Sequence, residues 1–154
     1  MSIATLLIIH AVTFIGFIVA LVIKFKKIPS SISEFYYLLE ERKYNSGWLF
    51  TMFLWTMGIM TCFYGNPWLF VAGGFLCFTG AAAQYKDAPT NTVHYIGAAG
   101  GYGLACLVIN PFLIGGIIAI SVLANLYKIK NKTFWVEVVA FLIILLGLTI
   151  RYVK

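Results

Sequence analysis

The sequence predicts an all-α polytopic membrane protein with six transmembrane helices and a short amphipathic cytoplasmic helix. Hydrophobic residues make up 62% of the 154 residues and charged residues only 10%, whereas about 25% of the residues in a soluble domain are charged. The apolar runs approach the length of about 20 residues that a helix needs to cross a hydrocarbon core of about 30 Å. The alternating pattern of an outer-membrane barrel strand is absent. These observations together predict one transmembrane domain over residues 1–154.

The first span is predicted at residues 3–23, where His10 is the one ionisable residue. Lys24, Lys26 and Lys27 follow it directly. A signal peptide has its positive charges before the apolar run and a small-residue cleavage site after it. Because the order here is reversed, we expect a retained span whose N-terminus is extracytoplasmic.

Five further spans are predicted at residues 47–64, 67–84, 93–110, 111–127 and 134–150, with an interfacial helix at about 31–44. Both termini are then extracytoplasmic, in a multi-pass protein of the cell inner (plasma) membrane. Of the 11 Lys and Arg residues, only Arg151 and Lys154 would lie outside. The others lie inside, as the positive-inside rule requires: Lys24, Lys26, Lys27, Arg42, Lys43, Lys86, Lys128, Lys130 and Lys132.

Composition also bears on the partners of this protein. The net charge of +6 sits at the ends of apolar runs, and no basic stripe with interleaved aromatic residues indicates a nucleic acid partner. Cys62, Cys77 and Cys106 fall inside predicted spans without a C-x-x-C pair, so we expect small buried residues rather than disulfides. Glycine is concentrated in the middle spans, where it favours close helix packing, a permeation path or contact with a second copy. The expected partners are therefore the lipid bilayer and a homo-oligomer.

The largest polar segment is residues 29–44. Ser31 and Glu34 fit a capping box at a helix start. Positions i, i+3, i+4 and i+7 form an apolar face expected to lie against the membrane, and the other face is polar. The apolar face comprises Ile32, Phe35, Tyr36 and Leu39, and the polar face comprises Ser33, Tyr37, Glu40 and Glu41.

A second polar cluster, residues 85–95, precedes and opens the fourth span. Asp87 and His94 lie at the inner boundary, where an ionisable residue is a functional candidate because its burial is costly. His94 beside Asp87 is interpreted as a proton acceptor, half of a metal site or a helix cap. His10 is in the opposite leaflet, which separates it from any metal at His94. The candidate ligand-binding residues are Ser33, Glu34, Tyr36, Tyr37, Asp87 and His94.

Glu137 falls about one turn into the last span. A carboxylate at that depth needs a cation, a hydroxyl or water beside it. Lys128, Lys130 and Lys132 are close enough in the chain to neutralise it. The sequence therefore predicts structural pairing for Glu137.

Two segments, SISEFYY and GAAAQYKDAPTNTVHYIGAAGG, resemble small uncharacterised bacterial and phage membrane proteins that carry S-I-S-x-x-Y-Y and V-H-Y/F-x-x-A. The layout is more distantly similar to the superfamily of alkaline ceramidases and progesterone-and-adipoQ receptors. This resemblance implies that Ser33, Asp87 and His94 fall where the hydrolases of that superfamily place a serine, an aspartate and a histidine near zinc. For a hydrolase it implies zinc, with Asp87, His94 and one of Ser33, Glu34 or Glu40 as ligands; for the other functions no cofactor is expected. The chain departs from that pattern in having six predicted spans and no H-x-x-x-H pair.

Three functions follow as hypotheses. The first is a non-enzymatic membrane protein whose cytoplasmic-side polar pocket binds an ion, a lipid head group or a small ligand, acting in transport, gating or signalling; no catalytic residue is assigned to it. The second is a metal-dependent lipid hydrolase of ceramidase-like layout. The third is an accessory or structural membrane subunit.

Overall fold

The computed structural model describes residues 2–41 and 45–153, which form α-helices and connecting segments without a β-strand in these ranges. The predicted positions Arg42, Lys43 and Tyr44 lie outside the described residues. Seven helices follow one another in the described ranges: α1 (Ile3–Phe25), α2 (Glu34–Glu40), α3 (Trp48–Cys62), α4 (Pro67–Ala81), α5 (Thr90–Ile109), α6 (Phe112–Leu126) and α7 (Lys132–Tyr152). The all-α prediction is confirmed.

Three of the helices are long and apolar enough to cross a membrane. These are α1 with 23 residues, α5 with 20 and α7 with 21. Helices α3, α4 and α6 are apolar but have 15 residues each, or roughly 22 Å at 1.5 Å per residue. The chain therefore has the helices of a membrane protein, and three of the six predicted spans have a helix of sufficient length.

Helix α1 packs through one face between α3 and α7. Phe14 stacks on Phe141 of α7 with ring centres 3.8 Å apart, and Phe17 stacks on Phe53 of α3 at 3.9 Å. Farther along, α1 and α7 diverge, and an apolar groove of about 400 Å³ lies between them. The aromatic stacking therefore holds α1 against α3 and α7 at Phe14 and Phe17. The groove lies beside the C-terminal half of α1, which is less tightly packed there.

Helices α3, α4 and α5 pack with their backbones in close approach. A Cβ atom on Gly58 would lie 2.5 Å from the carbonyl oxygen of Gly73, and one on Gly97 would lie 2.8 Å from that of Phe75. Only glycine fits at such distances, so the prediction of close helix packing at glycines is confirmed for these two interfaces.

Helix α2 packs its apolar face against the helical bundle. Phe35 and Leu39 are 0% and 1% exposed, and Phe35 packs edge-on against Phe17 and Phe134 at 6.3 and 6.2 Å. The prediction that the apolar face of this helix meets the membrane was wrong, because the tertiary core offers that face a tighter set of aromatic partners.

The start of α2 also differs from the predicted capping box. The helix begins at Glu34 with Ser33 as its N-cap, and the Ser33 side chain makes no capping bond. Glu34 accepts a hydrogen bond from the backbone N–H of Ser30 at 2.5 Å, one residue earlier than predicted. The Ser33 hydroxyl is therefore available to another partner.

Two further hydrogen bonds hold the segment before α2 on α7. The backbone N–H of Phe134 donates to the Ser30 carbonyl at 3.0 Å, and the Asn131 amide donates to the Ile28 carbonyl at 2.8 Å. The end of the bundle where α1 ends and α7 begins, which also carries the α4–α5 loop, is called the lysine end below. Its cations include Lys24, Lys26, Lys27, Lys86, Lys130 and Lys132.

Candidate functional site

His94 and Ser33 meet at the lysine end. His94 lies near the start of α5 and is 3% exposed. Its Nε2 atom is 2.8 Å from Ser33 Oγ, and its Nδ1 atom is 3.0 Å from the Ala82 carbonyl oxygen. Because a carbonyl oxygen only accepts, Nδ1 carries the proton and donates it to Ala82. Nε2 is then the acceptor, and the Ser33 hydroxyl donates to it.

The segment before α2 positions Ser33 for this contact. Next to Ser33, the backbone N–H of Ile32 donates to Glu137 Oε2 of α7 at 2.6 Å. The same carboxylate is therefore a neighbour of the Ser33–His94 pair. Ser33 lies 61 residues before His94 in the sequence, so this tether is what brings the two side chains together.

The Ser33–His94 pair borders a cavity of about 120 Å³, called the lysine-end cavity below. Hydroxyl-bearing residues from five different parts of the chain line it, together with one carboxylate and the His94 ring, and the remaining walls are apolar. The polar lining residues are Ser31, Ser33, Thr79, Tyr85, His94, Tyr95, Tyr102, Thr133 and Glu137. Glu137 is the one acidic side chain in that lining, and no described Lys or Arg lines it.

Glu34 is a predicted site residue that acts as an anchor of its segment. Its Oε1 atom lies 3.6 Å from Lys27 Nζ. Burial opposes ionisation of Glu34, but the hydrogen bonds from Ser30 and the charges of Lys27 and Lys86 outweigh it, so the pKa of this carboxyl lies below its ordinary value. Glu34 does not line the lysine-end cavity.

Tyr36 and Tyr37, two further predicted site residues, tie α2 to the α4–α5 loop. The Tyr36 hydroxyl accepts from Gln84 Nε2 at 3.0 Å, and the Tyr37 hydroxyl accepts from the Lys86 backbone N–H at 2.8 Å. Lys86 Nζ lies 4.2 Å from the centre of the Tyr37 ring, and burial raises the pKa of Tyr37. Neither tyrosine lines the cavity, but both hold the loop that leads to His94.

Asp87 is exposed on that loop and lies outside the cavity lining. Its backbone carbonyl accepts from the Asn91 N–H at 2.9 Å. The Ala82 carbonyl therefore orients the His94 imidazole, in the place where Asp87 was expected. The predicted set is thus divided, with Ser33 and His94 in the cavity and Glu34, Tyr36, Tyr37 and Asp87 around it.

The side chains around His94 do not fit zinc. Among the described residues, no three His, Cys, Asp or Glu side chains are grouped so that they could hold a metal ion. Both ring nitrogens of His94 are already hydrogen-bonded, whereas a catalytic zinc takes three protein ligands. We therefore derive no step through a metal.

Sequence reasoning missed several residues of the site. Thr79, Tyr102 and Thr133 reach the cavity from inside or beside apolar runs, and the signal that could have found them is a hydroxyl within such a run. Glu137 was expected to pair with Lys128, Lys130 or Lys132. Its hydrogen-bond partner is instead the Ile32 backbone N–H, because the segment before α2 covers this face of α7.

Comparisons with protein-family models, with curated proteins and with solved structures gave no match to this chain.

Proposed function

We propose that this protein is a six-span membrane protein whose lysine-end cavity binds a small polar ligand or lipid head group from the cytoplasmic side. The observation that carries the proposal is the Ser33–His94 hydrogen bond at 2.8 Å, on the edge of a cavity that also holds the Glu137 carboxylate. Buried polar groups are costly unless they are paired, and here they are gathered around one space. Ligand binding there would serve transport, gating or signalling.

The lining chemistry favours a cationic or hydroxyl-bearing ligand. Glu137 supplies a carboxylate, and tyrosine, serine and threonine hydroxyls supply donors and acceptors. A phosphate group is disfavoured, because no described Lys or Arg reaches the lining and Glu137 would repel it. We therefore infer an ammonium or hydroxyl group, of the kind found in an ethanolamine head group, as the recognised chemistry.

Thermal unfolding of the protein in nanodiscs tests this inference, with ethanolamine and inorganic phosphate as the two probes. Ethanolamine is expected to raise the Tm of the wild type and inorganic phosphate to leave it unchanged, because a ligand that binds only the folded state stabilises it. Glu137→Gln and Ser33→Ala should remove the ethanolamine effect. Ser121→Ala is the matched control, since that hydroxyl bonds the Ile117 carbonyl within α6 at 2.8 Å. A wild type that responds equally to both probes, or to neither, contradicts the inference.

A second candidate function is lipid ester hydrolysis with Ser33 as the nucleophile. The observation that favours it is the fixed tautomer of His94, which leaves Nε2 as the acceptor of the Ser33 proton. Ser33 Oγ would attack an ester carbonyl as Nε2 takes the proton and returns it to the leaving alcohol, and water would then release the acid. A fluorophosphonate probe should label wild-type protein and Ser121→Ala but not Ser33→Ala. An unlabelled wild type would remove this candidate and leave the binding function.

The proposed topology has both termini extracytoplasmic. It is supported by the lysines clustered where α1 ends and α7 begins. Tags placed at the two termini should be open to protease in intact spheroplasts, while a tag in the α4–α5 loop should be protected. Protection of either terminus would contradict the six-span arrangement.

The Gly-rich spans are the proposed contact surface of a homo-oligomer. A Cβ atom built on Gly74, Gly103, Gly115 or Gly116 has no described atom within 4 Å outside the local backbone. Such small-residue surfaces allow a second helix to approach closely. Crosslinking in native membranes should give a dimer or larger species that Gly115→Leu weakens.

A further inference from the structure

One stripe of α7 runs from the lysine-end cavity to the opposite end of the bundle. Its members recur at i, i+4, i+7, i+11 and i+15, which places them on one helix face. Glu137 begins the stripe, Phe141, Ile144 and Leu148 continue it, and Tyr152 ends it. The distance along the helix from Glu137 to Tyr152 is about 22 Å at 1.5 Å per residue. Side chains of other helices that pack against this stripe can therefore follow one another from one end of the bundle to the other.

A second, smaller cavity lies halfway along the stripe. It has a volume of about 20 Å³ and is lined by His10 of α1, Thr61 of α3 and Tyr102 of α5 as its polar members. Phe141, Ile144 and Leu148 form its α7 wall. A cavity of this size accommodates about one water molecule, and such a water needs polar partners, which these three side chains provide.

His10 is buried in this second cavity with one ring nitrogen unpaired. The residue is 2% exposed. Its Nδ1 atom lies 3.2 Å from the Tyr64 hydroxyl, whereas Nε2 has no hydrogen-bond partner among the described residues. An unpaired buried nitrogen is costly, so its retention beside a water-sized space indicates a role other than packing.

Tyr102 joins the two cavities. Its side chain lines both the lysine-end cavity, together with Glu137, and the second cavity, together with His10. At the far end, the Tyr64 ring lies 5.6 Å from the ring of Tyr152, at the end of α7. Glu137 and Tyr102 therefore share one cavity, Tyr102 and His10 share the next, and His10 contacts Tyr64, so these four proton donors and acceptors follow one another along the bundle.

We propose that this series, Glu137–Tyr102–His10–Tyr64, is a pathway that carries protons between the two ends of the bundle. A proton that reaches Glu137 passes through the Tyr102 hydroxyl and one water to His10 Nε2. The imidazolium then gives its Nδ1 proton to the Tyr64 hydroxyl oxygen, which releases its own proton toward Tyr152. One proton enters and one leaves, and rotation of the imidazole ring restores its starting tautomer.

This pathway goes beyond the proposed ligand binding, because two of its four groups, His10 and Tyr64, lie outside the lysine-end cavity. Carboxylates and histidines are the groups from which intramembrane proton relays are built, and a tyrosine hydroxyl can both donate and accept a hydrogen bond. Each contact in the series depends on one oxygen or nitrogen atom. Removing a single hydroxyl should therefore interrupt transfer while the ring that packs the bundle stays in place.

Proton flux into liposomes tests the pathway, with a potassium gradient and valinomycin to set the potential and an internal pH dye as the readout. Wild-type protein should acidify the lumen faster than protein-free liposomes. Tyr102→Phe and Tyr64→Phe should each reduce that excess rate at least about tenfold, which corresponds to about 1.4 kcal/mol in the barrier. Tyr127→Phe, the same change at a residue 77% exposed on α6's C-terminal side, is the matched control and should keep the wild-type rate.

Two outcomes overturn the pathway. The first is a lumen that acidifies no faster with wild-type protein than without protein. The second is an acidification rate in Tyr102→Phe or Tyr64→Phe within about twofold of the wild type, which is a barrier change of only about 0.4 kcal/mol. Unfolding curves of each variant show whether a lost rate comes from a lost fold. Ethanolamine-dependent stabilisation of Tyr64→Phe separates the two proposals, because Tyr64 lies outside the lysine-end cavity.

Discussion

The two histidines of this protein occupy opposite kinds of environment. His94 at the lysine end has a partner for each ring nitrogen, Ser33 at 2.8 Å and the Ala82 carbonyl at 3.0 Å. His10 in the middle of the bundle is equally buried, but among the described residues its ring contacts one partner, the Tyr64 hydroxyl, and its second nitrogen has none. Because a carbonyl oxygen cannot donate, the His94 ring is held in one tautomer, whereas a hydroxyl partner allows His10 either tautomer.

This difference suits His94 to positioning the Ser33 hydroxyl and His10 to taking up and releasing a proton. A ring held in one tautomer presents a constant acceptor to Ser33, which suits recognition of a ligand or activation of a hydroxyl. A ring that is free to change tautomer can receive a proton on one side and release it on the other. Substitution of each ring measures how much its hydrogen bonds contribute to the free energy of unfolding.

His94→Phe is expected to have the largest effect on stability. The substitution keeps a ring of similar size but leaves Ser33 and the Ala82 carbonyl without their buried partner. We expect a loss of about 3 kcal/mol in the free energy of unfolding. Equilibrium unfolding in mixed micelles measures it, and a loss below about 1 kcal/mol would mean that the two hydrogen bonds do not hold this end of the bundle.

Ser33→Ala should cost less, about 1 kcal/mol, because it leaves the His94–Ala82 hydrogen bond in place and removes one partner. Nitrogen NMR of the histidine ring should show the proton on Nδ1 of His94 in both wild type and variant. If the proton moves to Nε2 in the variant, then Ser33 sets the tautomer and the assignment to Ala82 is incorrect.

His10→Phe should change the free energy of unfolding by less than about 1 kcal/mol. The change removes the unpaired Nε2 atom, which stabilises, and leaves the Tyr64 hydroxyl without its partner, which destabilises. The same unfolding measurement applies. A loss as large as that of His94→Phe would show that His10 is a structural residue and would remove the contrast between the two rings.

Glu34→Gln should have the smallest effect, about 0.5 kcal/mol after screening by solvent. The pKa of Glu34 is lowered in the folded protein, so its contribution is present above the ordinary carboxyl pKa and is lost as the pH falls through the folded value. The variant should thus be less stable than the wild type at pH 7 and equal to it in acid. A difference that grows in acid would reverse the assigned sign.

The sequence was sufficient to predict an all-α fold, and it named Ser33 and His94 in the same set of candidate residues. Hydropathy located the apolar helices, and α1 begins at Ile3 and α4 at Pro67 as expected. Both residues were expected at the inner membrane boundary, and the structure shows that their side chains meet at 2.8 Å. The helix prediction succeeds because it depends on local composition.

Predictions that depended on tertiary contacts were less successful. Asp87 is adjacent to the site in the chain, but a backbone carbonyl takes the position beside His94. Glu137 has three lysines nearby in the sequence, yet its partner is the Ile32 N–H, 105 residues away. Tyr102 gave no signal, since a tyrosine in a Gly-rich helix is equally typical of packing. Which of several polar groups fills a buried position is decided by the packing of whole helices.

The glycine contacts between α3, α4 and α5 also have a mechanical consequence. Where Gly58 meets Gly73 and Gly97 meets Phe75, backbone lies against backbone, and such a contact leaves no side chain whose rotation would allow sliding. These three helices should therefore move as a rigid block. The apolar groove between α1 and α7 leaves α7 freer to shift relative to α1. We therefore expect α7, which carries Glu137 and Tyr152, to be the helix that moves relative to this block.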